Sequence, residues 1–308
     1  MNFLQTIHKS VKNQFPTVSV IIPYFGNSLL ELEHCIWCVQ SQEYPAQNVQ
    51  IVVIDNNREP VLGDQILLKD RVQLFHEPVA GSYSARNRGI RASSGSILAF
   101  TDADCAPSST WLSNGVCDLA ALNFDAVIGG EIVFTFRRAS PNIWELYDSM
   151  IHLRQEEYVK NNHFAATANL IASRQLFAKV GLFNEAFYSG GDRDWGLRVT
   201  AKRVPIVYSR RAIVRHRARP TANELILKNR RGVGAEAIRV RIEEASALRI
   251  LWVQIRMFAT RIRLLSKSMS VGTYGGYTLC KLIAICTLIH LARYFEAIRL
   301  MLGGIPLR

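Results

Sequence analysis

Short apolar runs alternate with helix-compatible segments through the first 135 residues of this 308-residue chain. The apolar runs cover residues 18–23, 49–54, 71–76, 96–101 and 126–135. The helical segments between them cover residues 29–41, 83–92 and 111–123. Continuous aliphatic runs are typical of buried parallel strands, and strands that alternate with helices form a sheet covered on both faces. The pattern therefore predicts a doubly wound α/β sheet.

Three of the runs end in residues suited to ligand binding, namely Pro23, Asp55 and Asp102. In open α/β sheets, ligands bind beyond the carboxyl ends of the strands, so we expect these side chains to share one crevice. The first strand-to-helix turn, at residues 24–27, matches neither G-x-G-x-x-G nor the P-loop pattern. Dinucleotide-dependent dehydrogenases and P-loop enzymes are therefore disfavoured.

Asp102 and Asp104 stand one residue apart immediately after the apolar run at 96–101. Side chains at i and i+2 of an extended segment point to the same face. Two carboxylates so placed suit Mg²⁺ or Mn²⁺, which proteins hold through one or two carboxylates together with substrate phosphates. The alternative is a solvent-exposed acidic turn that caps the helix beginning at Trp111.

The surrounding stretch, AGSYSARNRGIRASSGSILAFTDADCAP at residues 80–107, resembles the nucleotide-sugar-binding core of the family-2 glycosyltransferases. The matching elements are Gly81, Ala-Arg-Asn-x-Gly at 85–89, Ala92, Gly95 and Asp-x-Asp at 102–104. VSVIIPYFGN and IVVIDNN fall where the family places its first two strands, so the resemblance covers residues 17–225. It implies a GT-A fold, a Rossmann-like doubly wound mixed sheet, here with a C-terminal helical extension.

The resemblance implies a donor site for a nucleotide-diphospho-sugar, and it assigns this site to Pro23, Tyr24, Asp55, Gly81, Arg86, Asp102 and Ala103. Asp55 would accept the N–H of the base, although a turn role is also open and the sequence at 55–58 departs from the usual Asp-Asp pattern. Arg86 would lie near the diphosphate or pack against the sheet. Asp102 would contact the ribose or a metal-bound water, and Asp104 would be the direct metal ligand.

FNEAFYSGGDRDWGLRV resembles the family's acceptor-side motif, which implies roles for Gly190, Gly191, Asp192, Asp194, Trp195 and Arg198. Alignment on the arginine places Asp192 at the position of the catalytic base, while Gly191 replaces the family's usual Glu. A crowded carboxylate can have its pKa raised toward use as a base. The alternative is that Asp192 or Asp194 caps the helix over 195–201.

His216 lies in IVRHRAR, where the family often has a metal or diphosphate ligand after a strand. A structural histidine is the alternative, and the flanking Arg215 and Arg217 could meet phosphate charge. The resemblance thus implies a divalent cation, Mg²⁺ or Mn²⁺, as the cofactor, held by Asp104 and His216.

The positive charge is concentrated at the C-terminus: residues 225–308 contain 14 Lys and Arg against 4 Asp and Glu, while residues 1–224 contain 23 against 21. This asymmetry suggests an anionic lipid or nucleic acid partner, or a solvated basic face. Residues 242–267 form a predicted amphipathic helix, suited to a membrane interface or to packing on its own domain. Its apolar positions are Leu251, Ile255, Phe258, Ile262 and Leu265, and its basic positions are Arg249, Arg256, Arg263 and Lys267.

The apolar stretch at 282–292 is shorter than the roughly 20 residues that span a bilayer. Six sparse cysteines and the absence of a long apolar N-terminal segment indicate a reducing, cytoplasmic location. We therefore expect a protein that is peripheral on the inner face of the cell membrane, with no nucleic-acid partner.

The sequence thus predicts an N-terminal segment at 1–16, a GT-A domain at 17–224 and a basic helical region at 225–308. The domain divides into a nucleotide-sugar-binding half at 17–135 and an acceptor-binding half at 136–224. The predicted enzyme is an inverting glycosyltransferase that moves a single sugar to a saccharide or lipid-linked acceptor, in polysaccharide or glycolipid synthesis. The sequence contains no Gln-x-x-Arg-Trp motif of processive synthases. A nucleotidyltransferase and a non-catalytic membrane-associated protein with a decayed sugar site are the alternatives.

Overall fold

The computed structural model describes residues 15–26, 28–63, 66, 71–270 and 276–307. The chain divides into two compact units. Unit 1 contains residues 1–133, 155–184 and 192–216, and unit 2 contains residues 134–154, 185–191 and 217–308. The predicted N-terminal segment and Asn27 of the first turn lie largely outside the described residues, and the predicted domain boundaries stay a prediction.

A mixed sheet forms the centre of unit 1, and β6 and β8 end in unit 2. The strands in the described part of the chain are β1 (Val18–Tyr24), β2 (Val49–Asp55), β3 (Val72–His76), β4 (Ile97–Phe100), β5 (Cys105–Pro107), β6 (Val127–Thr135), β7 (Leu170–Ser173) and β8 (Ile206–Arg217). Their order is β3-β2-β1-β4-β7-β6-β8-β5. Strands β1 to β4 are parallel to one another, whereas β7 is antiparallel to β4 and β6.

The helices of unit 1 are α1 (Leu29–Gln40), α2 (Ser82–Ala92), α3 (Trp111–Ala120), α5 (Gln155–Asn162), α6 (Arg174–Val180) and, apart from its first residue, α7 (Gly191–Ala201). The first three lie at the predicted places along the chain. In unit 2, α4 (Ile143–Ile151) ends before α5 begins. Leu153 between them adopts a left-handed φ of 48°, which interrupts a helix.

The register of the parallel strands brings their carboxyl ends to one edge of the sheet. Tyr24 at the end of β1 pairs with Asp55 at the end of β2. Phe100 at the end of β4 pairs with Ile21, so the chain that follows β4 runs beside the last residues of β1. β-branched and aliphatic side chains fully bury both faces of β1 and β4, which fixes this register.

Unit 2 is helical. It contains α4, α8 (Ala222–Ile242), α9 (Leu248–Ser270) and α10 (Gly276–Met301). One of its apolar clusters joins all four helices through Leu146, Tyr147, Ile151, Leu225, Leu265, Leu282, Ile285, Cys286 and Ile289. The C-terminal helical extension is therefore present as predicted.

The apolar face predicted for α9 mostly packs inside unit 2. Phe258 and Ile262 lie against the cluster of α4 and α10, and Leu265 is fully buried in it. Ile255 is the exception, since more than half of its surface is exposed. By length and composition, α10 is the one described helix that could cross a membrane, but a core helix of a soluble protein passes the same test.

A buried ionic cluster fixes α4 to the start of α8. The Asp148 carboxylate is fully buried and accepts hydrogen bonds from the backbone N–H of Arg219 at 2.9 Å and from its guanidinium at 3.1 Å. Lys228 Nζ lies 3.5 Å from the same carboxylate, and His152 Nδ1 lies 2.7 Å from it. Burial lowers the pKa of His152 to about 3, so this ring is neutral at neutral pH.

Candidate active site

Four side chains suited to holding a cation converge after β4. The donor atoms of Asp102, Asp104, Cys105 and His216 all lie within 4.8 Å of one another. The chain turns after β4, with the N–H of Cys105 donating to the carbonyl of Asp102 at 3.0 Å. Cys105 then pairs with His216 in the β5–β8 ladder, and His216 Nε2 lies 3.7 Å from Asp104 Oδ2. The carboxylates therefore meet through a turn, whereas the sequence suggested an extended segment.

Arg86 of α2 borders this cluster. Its guanidinium is buried and donates to Asp102 Oδ1 at 2.5 Å. Its carbon lies 5.3 Å from the centre of the Tyr83 ring, which holds the guanidinium plane in position. Among the described residues, the buried Nε of Arg86 has no hydrogen-bond partner.

Asp192, in the first turn of α7, lies close to the same arginine. Burial raises the pKa of the Asp192 carboxyl above its ordinary value. Hydrogen bonds from the backbone of Arg193 and Thr167 and from Tyr83, together with the charge of Arg86, oppose this shift. Arg86 thus donates a hydrogen bond to Asp102 and interacts through its charge with Asp192, so the candidate base lies near the cluster of Asp102, Asp104, Cys105 and His216.

The Asp55 carboxylate organises the loop after β2. Oδ1 accepts from the backbone and side chain of Asn57 at 3.1 and 2.8 Å, and Oδ2 accepts from the backbone of Val61 and Leu62 at 2.6 and 2.8 Å. These four bonds use the four lone-pair positions of the carboxylate, and the side chain is buried. The structure thus shows the turn role that the sequence left open, and the base contact stays a prediction. At the end of β1, Tyr24 is buried and Pro23 is partly exposed.

Asn56 holds the loop that leads into α2, although the sequence analysis gave it no role. Its amide donates to the carbonyls of Glu77 and Val79, both at 2.7 Å, and accepts from the N–H of Gly81 at 3.1 Å. Gly81 has a φ of 130°, which side-chain-bearing residues rarely adopt. This loop sets the start of α2 and so the position of Arg86.

Most of the residues predicted to lie on the acceptor side have structural partners within unit 1. Trp195 is fully buried, stacks on Phe177 and donates to the carbonyl of Gly181, so it is a core residue without surface for an acceptor. Arg198 donates to the carbonyls of residues 180 and 182 and pairs with Asp194 at 3.1 Å. The acceptor roles of Asp194 and Arg198 stay predictions.

Three small residues of the predicted site also have definite places. Ala103 is buried in the core of unit 1, between the two aspartates. Gly190 and Gly191 belong to unit 2, where Gly190 has a left-handed φ of 73° that favours glycine. Their role toward an acceptor stays a prediction.

Sequence reasoning missed Cys105, Tyr83 and Thr167 as members of the site. Cys105 directly follows Asp104, but a cysteine beside an Asp-x-Asp motif is equally compatible with the core. Tyr83 lies three residues before Arg86, one helical turn away, and that spacing was the available signal. Thr167 lies in a 3₁₀ turn before β7, far from Asp192 in sequence, and no local pattern identifies it.

Comparison with known proteins assigns the chain to a family. Residues 19–181 match the family model described as Glycosyl transferase family 2. Glycosyltransferase AglE of Haloferax volcanii is 32% identical over 257 residues, which cover 78% of this chain and 81% of that protein. Pre-mycofactocin glycosyltransferase of Mycobacterium tuberculosis is 27% identical over 188 residues, 58% of this chain and 39% of that protein.

Two solved structures share the fold. The mannosyltransferase PcManGT of Pyrobaculum calidifontis, in complex with GDP-Man and Mn²⁺, superposes with a TM-score of 0.60 at 17% identity, covering 93% of this chain and 88% of that one. GalNAc-T7 with UDP, GalNAc and Mn²⁺ superposes with a TM-score of 0.52 at 14% identity, covering 73% of this chain and 51% of that one.

The chain belongs to the family-2 glycosyltransferases and has the GT-A fold, as predicted. It is therefore a glycosyltransferase enzyme. Family-2 glycosyltransferases use divalent cations.

Proposed function

We propose that this enzyme is an inverting glycosyltransferase that moves one sugar from a nucleotide-diphospho-sugar to an acceptor hydroxyl. The observation that carries the proposal is that Arg86 donates a hydrogen bond to Asp102 of the four-residue cluster and also interacts through its charge with Asp192. A donor diphosphate at that cluster would place its sugar beside a carboxylate whose pKa is raised. In single-displacement transfer, a base must lie near the face of the sugar opposite the leaving group.

The residues of the cluster fit a divalent cation. Two carboxylates, an imidazole and a thiol offer the oxygen and nitrogen ligands of Mg²⁺ or Mn²⁺, with sulfur as a softer fourth donor. Asp104 and His216 would hold the ion directly, with Asp102 beside them. When bound, the ion supplies positive charge that stabilises a leaving diphosphate.

The protein's own groups account for the proton and for part of the charge. The Asp192 carboxylate accepts the proton of the acceptor hydroxyl while that oxygen forms a bond to the anomeric carbon. The bond from the anomeric carbon to the diphosphate oxygen breaks, and its electron pair leaves with the diphosphate. The positive charge of Arg86, which lies beside Asp102, would stabilise that developing charge. Water could serve as the acceptor when no other hydroxyl is present.

The biological setting of the proposal follows from the charge of the C-terminal region. The excess of basic residues in 225–308 supports peripheral binding to the anionic inner face of the cell membrane from the cytoplasm. A saccharide or lipid-linked acceptor in polysaccharide or glycolipid synthesis suits that position, and no nucleic-acid partner is proposed.

The test is donor hydrolysis over a panel of nucleotide sugars, with and without Mn²⁺ or Mg²⁺. We expect cation-dependent release of nucleoside diphosphate, which Asp104→Asn and Asp192→Asn each reduce by about a hundredfold or more. Asp125→Asn is the matched control, since this surface carboxylate pairs only loosely with Lys179 at 3.4 Å. Release of pyrophosphate would indicate a nucleotidyltransferase, and a protein that neither binds nor cleaves any donor would support the non-catalytic alternative.

A further inference from the structure

The outer face of α10 is apolar. The exposed residues between 284 and 302 are Ala284, Thr287, Leu288, Leu291, Phe295, Ile298 and Leu302, and none of them is charged. Leu288, Leu291, Phe295, Ile298 and Leu302 follow one another at spacings of 3, 4, 3 and 4, which places them on one side of the helix. We call these five residues the outer stripe. Their exposed fractions range from 44% to 83%.

Two charged residues of the same helix, Arg293 and Glu296, face inward. Arg293 is buried and donates to the Gln254 side chain at 2.8 Å and to the Asn229 carbonyl at 3.0 Å. Glu296 is buried and accepts from Arg230 at 2.8 Å and from Arg299 at 2.5 Å. A surface helix of a water-soluble protein normally keeps its charges in solvent, whereas this helix buries Arg293 and Glu296 and exposes the outer stripe.

The start of α9 also carries exposed apolar side chains. Ile250 and Leu251 pack in the same cluster as Leu300 and Met301, so the two helices are antiparallel and the start of α9 meets the end of α10. The exposed apolar residues on that part of α9 are Leu248, Trp252 and Ile255. Exposed apolar side chains are therefore present on both helices.

The two helices also carry exposed basic side chains, and two of these are paired with exposed aromatic rings. The exposed basic residues of α9 and α10 are Arg256, Arg263, Lys267 and Lys281. The Arg256 guanidinium lies 4.6 Å from the Trp252 ring centre, and Lys281 Nζ lies 4.1 Å from the Tyr277 ring centre. Aromatic rings with an apolar body and a polar edge, beside cations, suit the headgroup level of a bilayer.

We infer that the outer stripe of α10 inserts into the acyl boundary of an anionic bilayer, with α10 lying in the membrane plane. The charge of the surroundings selects a lipid partner, because Arg256, Lys267 and Lys281 would face like charges on a second copy but find phosphates in a bilayer. A spanning orientation conflicts with the buried ion pairs of Glu296 and with the exposed cations of α9, which would enter hydrocarbon with α10. The inference rests on the proposed membrane partner and specifies its binding face.

This mode of binding predicts a component that salt does not remove. Attraction between surface charges and anionic lipid is screened at high ionic strength, whereas burial of apolar side chains is not. The full chain is sedimented with vesicles of phosphatidylcholine containing about a third phosphatidylglycerol, at low salt and at about 0.5 M NaCl. We expect binding under both conditions. Phe295→Glu should lower the high-salt partition coefficient by about tenfold or more, the factor that corresponds to one large apolar side chain.

Leu30→Glu is the matched control, since Leu30 of α1 is an equally exposed apolar residue in unit 1. Its partitioning should match that of the unmodified chain, and all three proteins should hydrolyse donor equally. Binding that disappears in salt and is unaffected by Phe295→Glu would overturn the inference while leaving an electrostatic membrane partner intact. A dimer in sedimentation velocity that Phe295→Glu dissociates, without vesicle binding, would overturn it in favour of a second copy.

Discussion

Replacing Tyr83 by Phe tests whether Asp192 acts as a base whose pKa the surrounding residues set. Tyr83 is buried beside Asp192, and its hydroxyl hydrogen-bonds with that carboxylate. A donated hydrogen bond stabilises the charged form of the acid and so lowers its pKa. Tyr83→Phe removes the hydroxyl and keeps the ring that packs against Arg86. The pKa of Asp192, already raised by burial, should therefore rise further.

The size of this shift follows from the strength of such a bond. A hydrogen bond to a charged group contributes about 1.5–3 kcal/mol, and about 1.36 kcal/mol corresponds to one pKa unit. The upper bound is therefore about one to two units. Asp192 is partly exposed and keeps its bonds from Arg193 and Thr167, so water and these donors compensate for part of the loss. We expect a rise of about half a unit to one unit.

The assay is the pH dependence of kcat/KM for donor hydrolysis. A base works only when ionised, so activity falls on the acid side as pH drops through its pKa, and Tyr83→Phe should move that limb to higher pH. Tyr147→Phe is the control, because Tyr147 is a buried tyrosine in unit 2 that contacts Arg261. An acid limb that stays in place in Tyr83→Phe, with folding intact, would refute this role of Tyr83.

Three further predictions concern other parts of the chain. Gly81→Ala should lower the free energy of unfolding by about 1–3 kcal/mol in urea titrations because of its φ of 130°, whereas Gly276→Ala, in open space, should not. In the folded chain the pKa of His152 is lowered to about 3, so the unfolded chain binds a proton at this residue at a higher pH than the folded chain does. The free energy of unfolding should therefore fall as pH drops below about 6.5. Urea titrations at several pH values give the free energy of unfolding. Between about pH 6 and pH 4, its slope against pH should be smaller in His152→Gln than in the unmodified chain, by the equivalent of up to one bound proton. Cys105→Ser should remove the thiolate-to-metal absorption band of the Co²⁺-loaded protein and leave Mg²⁺ binding unchanged, and a band that persists would exclude Cys105 as a donor.

The parallel part of the sheet could be predicted because each strand is an uninterrupted apolar run. β1, β2 and β4 bury both faces, and such runs have few alternatives. β7 was not identified, because its four residues at 170–173 are too short to show periodicity. Its place between β4 and β6 depends on pairings over long sequence distances, which no local pattern contains.

The candidate site was predictable where the chemistry lies in neighbouring residues. The Asp-x-Asp motif and Arg86 stand within 20 residues of each other in the sequence, and the structure brings them into contact. Asp55 was harder, since only the structure shows that its lone pairs are already occupied. The sequence also could not assign the faces of α10, a helix that is apolar on most sides, because the choice depends on which partners surround Arg293 and Glu296.

The anomeric configuration of the first sugar released tests the central claim most directly. The claim is that Asp192 activates a nucleophile for a single displacement at the site of Asp102, Asp104 and His216. Proton NMR of donor hydrolysis, recorded before the sugar mutarotates, should show the configuration opposite to that of the donor. Asp192→Asn should release sugar at least about a hundredfold more slowly. Release with retained configuration, or unchanged release by Asp192→Asn, would contradict the account.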